Sequence, residues 1–486
     1  MNEENVSICR SAAISEYPQT PPFDPDCEYP EFCGRGLTNA EPNAVFALFR
    51  DLLYSMGFHP NAFGTPGWNP FGDFIFPGQT VLIKPNLVRH IHTQGGSIES
   101  VITHGSVIRC VLEYAALALK HSGRIIIADA PVQSADFTRI IAIHGLHEIC
   151  ERVARRWDVP IHLMDLRLSS ISLDENHRIR AQSELSGDSK GYHRINLGSE
   201  SLLHPIDGDF ARFRVTNYDC KNMRSHHNTA VHEYLVSKSV LEADCILNVA
   251  KLKTHRKVGL TASLKNIVGI NGHKDWLPHH RHGSIEEGGD EYRHPSFLKR
   301  AISSVNEAID SRPHSFLDPA RQLANRCLLR LCRDFSRDQF FEGSWYGNDT
   351  LWRTVLDLNR ILRYADRNGE MTHTPQRTCL NIVDGIVAGE GEGPMQPEPR
   401  VCGILAAGFN PAAVDAVLAT IVGFNFRKIP IIRNAFERSV WPIADFAPED
   451  ILFRNGTGEW RHLRAGVQEH FFRFRPPSGW QGHIEL

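Results

Sequence analysis

The 486-residue sequence predicts an α/β protein, a mostly parallel, doubly wound sheet in two α/β portions that carry an α-helical insertion. Three observations lead there. Short apolar runs at 80–88, 124–131 and 243–251 each end in polar or turn-forming residues, as buried strands do. Between the first two, Val107, Val111, Tyr114, Ala115 and Ala118 recur at helical spacing, so strand, helix and strand form a right-handed parallel crossover. The alternation resumes late in the chain, with strands at 378–384 and 401–407 and a helix at 411–422.

Taken in order, residues 1–42 mix Pro, Asn and acidic side chains without a periodic apolar face and are expected to lie over the surface as an arm. With a helix at 43–56 they make an N-terminal segment, 1–79. The first α/β portion, 80–240, holds strand 80–88, a helix at 106–121 stopped by Gly123, strand 124–131, a long helix at 137–157 and strand 161–166. The second, 241–425, holds strand 243–251, a short helix at 261–269 closed by Gly269, and a helical insertion at about 296–368. Helical patterns at 297–310, 319–335 and 350–366 define that insertion. The C-terminal extension, 426–486, is rich in Arg, Phe and Trp and carries no motif.

Composition narrows the function. With 53 Lys and Arg against 56 Asp and Glu, the net charge of -3 gives no global field for nucleic acid or an anionic membrane, so any anion site is local. No apolar run approaches the roughly 20 residues of a bilayer span, and the acidic first thirty residues do not resemble a secretory leader. A cytoplasmic protein is the expectation. The 11 Cys include no Cys-x-x-Cys pair, which argues against a disulfide framework, an iron–sulfur cluster or a Cys-rich zinc site.

Three stretches carry chemistry. Between Asp244 and Asp275 there is no acid, yet Lys251, Lys253, Arg256, Lys257, Lys265 and Lys274 stand there with His255 and His273. Such a run is ordinarily a solvated face. Here Lys251, Lys253 and Lys265 are embedded in apolar segments, where a charge needs a partner, and an anionic ligand at the carboxyl ends of the strands would supply one. Within 272–283, His273, His279, His280 and His282 serve either as loop contacts to an anion or, for His279 and His282 or for His280 and His282, as ligands of a shared metal. The Gly-rich 384–394 follows a strand and holds Asp384, Glu390 and Glu392; it is neither a Rossmann fingerprint nor a Walker loop. It is either a surface turn or a place where Glu390 and Glu392 bind a hard cation or act as acid and base.

The ordered set Lys84-Pro-Asn86, Thr103-His104, Asp129, Lys251-x-Lys-x-His255, Lys265-Asn266-x-x-Gly269, Asp384-Gly385, Glu390-x-x-Gly393-Pro394 and Asp415 resembles the domain of unknown function 362 family over about 80–425. The resemblance implies a fold and a pocket and says little about a reaction. Gly105 departs from the Pro that many members carry after the Thr-His pair. The iron–sulfur module of some members has no counterpart in the Cys pattern. The insertion and the His-rich segment look like subgroup features, of the kind found near bacterial surface-polysaccharide or natural-product genes.

The expected site lies in a cleft between the two portions. Lys84, Asn86, Asp129, Lys251, Lys253, Lys265, Asn266, His273, His279, His280 and His282 would hold an anionic substrate there. His255 and His104 would act as acid or base, with Asp384 and Glu390 orienting substrate or holding a divalent cation; Glu390, Glu392, His279 and His282 are the candidate ligands. Asp415 either caps a helix or pairs with a lysine. The function expected is group transfer on a phosphorylated, sulfated, carboxylated or nucleotide-linked small molecule. The alternatives are a metal-dependent isomerase or racemase, and a non-catalytic binding or partner subunit in a homo- or hetero-oligomer.

Overall fold

Each strand expected from the sequence forms part of one sheet in the structure, a computed structural model that describes residues 2–34, 41–173, 179–216, 218, 220–310, 320, 323–324, 327–328, 340–463 and 472–486. Among the described residues that sheet has ten strands: β1 (Asn5–Arg10), β2 (Thr80–Pro85), β3 (Arg124–Asp129), β4 (Ile161–Asp165), β5 (Cys245–His255), β6 (Gly259–Thr261), β7 (Thr378–Glu392), β8 (Gln396–Gly408), β9 (Leu452–Asn455) and β10 (Arg461–His462). Their order is β10-β9-β1-β8-β7-β5-β2-β3-β4, with β6 paired to the end of β5. The run β7-β5-β2-β3-β4 is parallel; β8 enters antiparallel between β7 and β1, which makes the sheet mixed but mostly parallel.

Both faces of the parallel run are covered, as βαβ crossovers require. On one face lie helices Ala44–Ser55, Gly105–Leu119 and Leu146–Trp157, whose Phe46, Leu52, Val107, Val111 and Val153 share a core with Val81, Ile83, Ile125 and Ile127. On the other, helices Leu351–Tyr364 and Pro411–Ile421 pack with Ala250, Leu252 and Ile404, and Leu358 and Ile361 reach Leu82, Ile126 and Ile246.

Four expectations change. The N-terminal segment is no arm, because β1 sits inside the sheet between β8 and β9. Two of its acids are counter-charges to buried arginines: Asp24 lies 2.9 Å from Arg109 and Glu31 2.6 Å from Arg50. The two α/β portions do not flank a cleft, since β5 is hydrogen-bonded to β2 on one side and β7 on the other. The helix expected at 137–157 is two, Phe137–Ile143 and Leu146–Trp157. They break at Gly145, which has φ +58° and where a Cβ would meet Pro21 at 2.3 Å. Finally, helix Leu351–Tyr364 belongs to the core and not to an outlying insertion; helix Phe297–Asp310 forms as expected, and the pattern at 319–335 lies almost entirely outside the described residues.

Candidate functional site

The carboxyl ends of β2, β3 and β5 gather several of the residues singled out in the sequence. Lys84 Nζ lies 2.7 Å from Asp129 Oδ1 and donates to the Pro85 carbonyl at 2.9 Å. Asn266 Nδ2 donates to the Lys84 carbonyl at 2.9 Å and to Asn248 Oδ1 at 2.7 Å, while its Oδ1 accepts from Asn86 Nδ2 at 3.2 Å. Lys253 Nζ donates to Asn86 Oδ1 at 2.9 Å and to the Val101 carbonyl. Burial holds both lysines below their usual range; for Lys84 the Asp129 carboxylate opposes this, and for Lys253 the neighbouring Lys251 adds to it. Gly269 permits the cluster, because a Cβ there would stand 1.9 Å from Asp129 Oδ1.

Lys251 does not join them. It registers with Asp384 on the β5–β7 pair, and its Nζ lies 3.1 Å from Asp384 Oδ2. The same carboxylate accepts from Tyr17 Oη at 2.5 Å, His104 N at 3.0 Å and Ile386 N at 3.2 Å, and Lys251 donates to Tyr17 Oη at 2.7 Å. His104 stacks on Tyr17 with 4.0 Å between ring centroids, and its Nδ1 caps helix Gly105–Leu119 by accepting from Ser106 N at 3.1 Å. Burial, then His144 and Lys251, hold its proton affinity far below the usual range. With Asp384 and Lys251 at 0% side-chain exposure and the carboxylate filled by Lys251, Tyr17, His104 N and Ile386 N, this group is a structural lock in which the acid–base role expected of Asp384 has no open approach, and His104 is buried with its Nδ1 committed to the helix cap. Gly105 is explained here too, since a Cβ would press the His144 carbonyl at 2.5 Å and Phe23 at 2.8 Å. Tyr17 was missed; it stands in a segment with no motif and no periodicity.

Open to solvent is a third group. Lys257, Lys265, Lys274 and His279 are half-buried and adjoin His255 near the end of β5. Burial pushes Lys265 down to about 7, and its next strongest influences, Lys257 and Lys84, act in the same direction. Lys274 is likewise brought to about 7 and Lys257 to about 8, burial leading in each, against partial opposition from Asp129 and Glu342. Lys274 donates to the Val268 carbonyl and Lys257 to Thr216 Oγ1. The Lys265 ammonium has no hydrogen bond or ion pair among the described residues, unlike those of Lys257 and Lys274.

The two histidines have opposite polarity. Lys257 N donates to His255 Nδ1 at 3.1 Å, so the neutral ring carries its proton on Nε2 and presents a donor. His279 Nδ1 lies 2.7 Å from the Leu277 carbonyl, which can only accept, so its Nε2 presents a lone pair. Burial and the surrounding lysines keep both neutral well below the usual histidine range. A donor and a base therefore stand beside a cationic cradle.

Other expected members lie elsewhere. The Gly-rich segment is a β-hairpin in which β7 runs through Glu392, paired with β8. Its glutamates hold the C-terminal segment: Glu390 accepts from Arg475 N at 3.1 Å and Glu392 from Ser478 N at 2.7 Å. His282 pairs with Glu291 at 3.0 Å, His273 with Asp275 at 3.3 Å, and His280 bridges to Arg214. Glu390, Glu392, His279 and His282 thus share no metal position. A groove lined by Gln79, Ala243, Asp244, Arg363 and Arg377 opens at the amino ends of β2, β5 and β7, the end of the sheet opposite to that used by ligands in parallel α/β folds.

Asp415 accepts from Ser263 N at 2.8 Å and Leu264 N at 3.1 Å, which settles it as a cap of the helix bearing Lys265 and Asn266. Burial pushes its carboxyl up to about 7. A group raised in the folded state contributes stability that is present at low pH and lost as the pH climbs through the folded value. Stability should therefore fall between about pH 4 and 7, and Asp415→Asn should flatten that interval in denaturant titrations. An unchanged slope in the variant would refute the assignment.

A doubly wound, mixed sheet with lysines, asparagines and histidines collected at the carboxyl ends of its central parallel strands defines a class: an α/β protein with a polar strand-end site. Residues 195–420 match the family described as Domain of unknown function (DUF362). The chain is also 41% identical over 392 residues to the thylakoid-associated protein sll1697 of Synechocystis sp., covering 80% of this chain and 74% of the relative. It belongs to the DUF362 family. Among the described residues, no helix is long and apolar enough to cross a membrane.

Proposed function

We propose that this protein is an enzyme that binds an anionic small molecule between Lys257, Lys265, Lys274, His255 and His279 and acts on it by group transfer. The observation that carries the proposal is Lys265, a half-buried ammonium whose strongest electrostatic neighbours are lysines and which has no anionic partner among the described residues. A phosphate, sulfate or carboxylate would neutralise the cluster and restore its proton affinity. His279 Nε2 would take a proton from the attacking group, and His255 Nε2–H would donate to developing negative charge. Sugar phosphates and nucleotide-linked sugars fit the charge of the cradle, and a cytoplasmic role in bacterial surface-polysaccharide or natural-product synthesis is part of the proposal. The thylakoid association belongs to the relative.

The test is a thermal-shift panel of sulfate, phosphate, sugar phosphates and nucleotide sugars, with mass spectrometry for turnover. Stabilising ligands should weaken about tenfold or more with Lys265→Met, the scale of one charged hydrogen-bond partner. Stabilisation untouched by that change would place the ligand elsewhere, and binding without turnover in every mixture would favour a non-catalytic binding subunit.

A further inference from the structure

A different set of side chains, away from the strand-end site, has the composition and spacing of a metal centre. We propose that His204, Asp207 and His232 form a binding site for a divalent first-row transition cation of the zinc class. Asp207 Oδ2 lies 2.9 Å from His204 Nδ1 and 3.1 Å from His232 Nε2, and the three candidate ligand atoms fall within 4.8 Å of one another. Bonds of about 2.0–2.1 Å arranged tetrahedrally place neighbouring ligand atoms about 3.3 Å apart. Opening the two Asp207 contacts by a few tenths of an ångström, and bringing together the two histidine nitrogens, which lie within 4.8 Å of each other, admits the ion.

The backbone prepares this arrangement. His204 and Asp207 open the 3-10 helix His204–Arg212, and in a three-residue turn positions i and i+3 lie on one side. His232 precedes the strand Glu233–Ser237, and its backbone is held at both ends: its N–H donates to Asn196 Oδ1 at 2.9 Å and its carbonyl accepts from Leu197 N at 3.0 Å. Behind it, His232 Nδ1 lies 3.3 Å from Nδ1 of the fully buried His227. When His232 binds an ion through Nε2, its proton sits on Nδ1 and His227 Nδ1 accepts it, the outer-shell contact that fixes a ligating imidazole.

Charge favours an ion at the same place. Asp207 and His232 are buried, and among the described residues the ion pairs of Asp207 are to these two histidines alone, with no Lys or Arg. A buried carboxylate whose ion pairs among the described residues are to histidines alone has no permanent counter-charge beside it, which a dication supplies. His204 keeps 47% of its side chain exposed, so the ion would be reachable from solvent and retain an open position for water, the pattern of three-ligand sites.

The experiment titrates the purified full chain, stripped with a chelator, with Zn2+ alone by calorimetry and with Co2+ alone by visible absorption. One equivalent should bind, with a cobalt spectrum of four- or five-coordinate form. His204→Ala is the informative variant: its exposed ring contributes little to folding, so the metal-free melting temperature should hold while affinity drops about tenfold or more. Asp207→Asn should lose binding as well. No binding by the wild type, or equal binding by wild type and His204→Ala, overturns the proposal and leaves a hydrogen-bonded His-Asp-His group.

Discussion

Asp384→Asn should lower the unfolding free energy by about 3–5 kcal/mol, the range for removing one partner of a buried ion pair. The substitution keeps shape and removes charge, leaving Lys251 without a counter-ion at 0% side-chain exposure. It also weakens the bonds from Tyr17 Oη and His104 N that tie the N-terminal segment and helix Gly105–Leu119 to β7. Denaturant unfolding reads the loss as a lower midpoint at unchanged slope. Combining it with Lys251→Met should recover part of the loss, since the second substitution removes the buried charge that the first leaves without a counter-ion. A single-variant loss below about 1 kcal/mol would mean that Lys251 is already uncharged and that the lock is held by packing.

Gly269→Ala should be comparably damaging. The added methyl would stand 1.9 Å from Asp129 Oδ1 and 2.5 Å from Lys84 Nζ, so the pair must move or the backbone must yield. Overpacking of this kind costs about 1–3 kcal/mol, and displacing a buried pair adds to it. Gly67→Ala, where the nearest atom is a threonine hydroxyl at 3.7 Å, is the control and should be near neutral. If both variants melt alike, the Lys84–Asp129 pair is more pliant than its packing implies.

The strand-end chemistry was legible because a buried parallel strand announces itself as an apolar run, and polar residues at its end must then lie at the sheet's edge. Lys84, Asn86, Asp129 and Lys253 were found that way, Asn266 came from the Lys265-Asn266 motif of the short helix after β6, and they do meet. Lys251 was misplaced by the same logic, because a run shows where a strand ends without showing which face a side chain takes; Asp384 draws it to the Tyr17 side. Asp24 and Glu31 read as solvated because their partners, Arg109 and Arg50, stand 85 and 19 residues further along the chain. In the Gly-rich segment, glycine suggested a turn, yet β7 continues through Gly389, where a Cβ would stand 2.6 Å from Pro397, and the chain turns only at Gly393, where one would stand 1.9 Å from the Thr254 carbonyl. No local signal in the sequence distinguishes a glycine that bends from one that makes room.

The central claim is that Lys265 and its neighbours form a cationic cradle awaiting an anion, and its proton affinity gives the most direct test. Because Lys265 is held near 7, below its unfolded value, unliganded stability should rise as the pH climbs from about 7 toward the ordinary lysine range. Anion binding requires the charged form and should weaken over the same interval. Calorimetric titration of sulfate, which does not titrate near neutrality, in buffers of differing ionisation enthalpy at pH 7.5 measures the proton taken up on binding. The account predicts uptake of a substantial fraction of a proton, abolished by Lys265→Met; sulfate binding with no proton uptake, or uptake that survives the substitution, would contradict it.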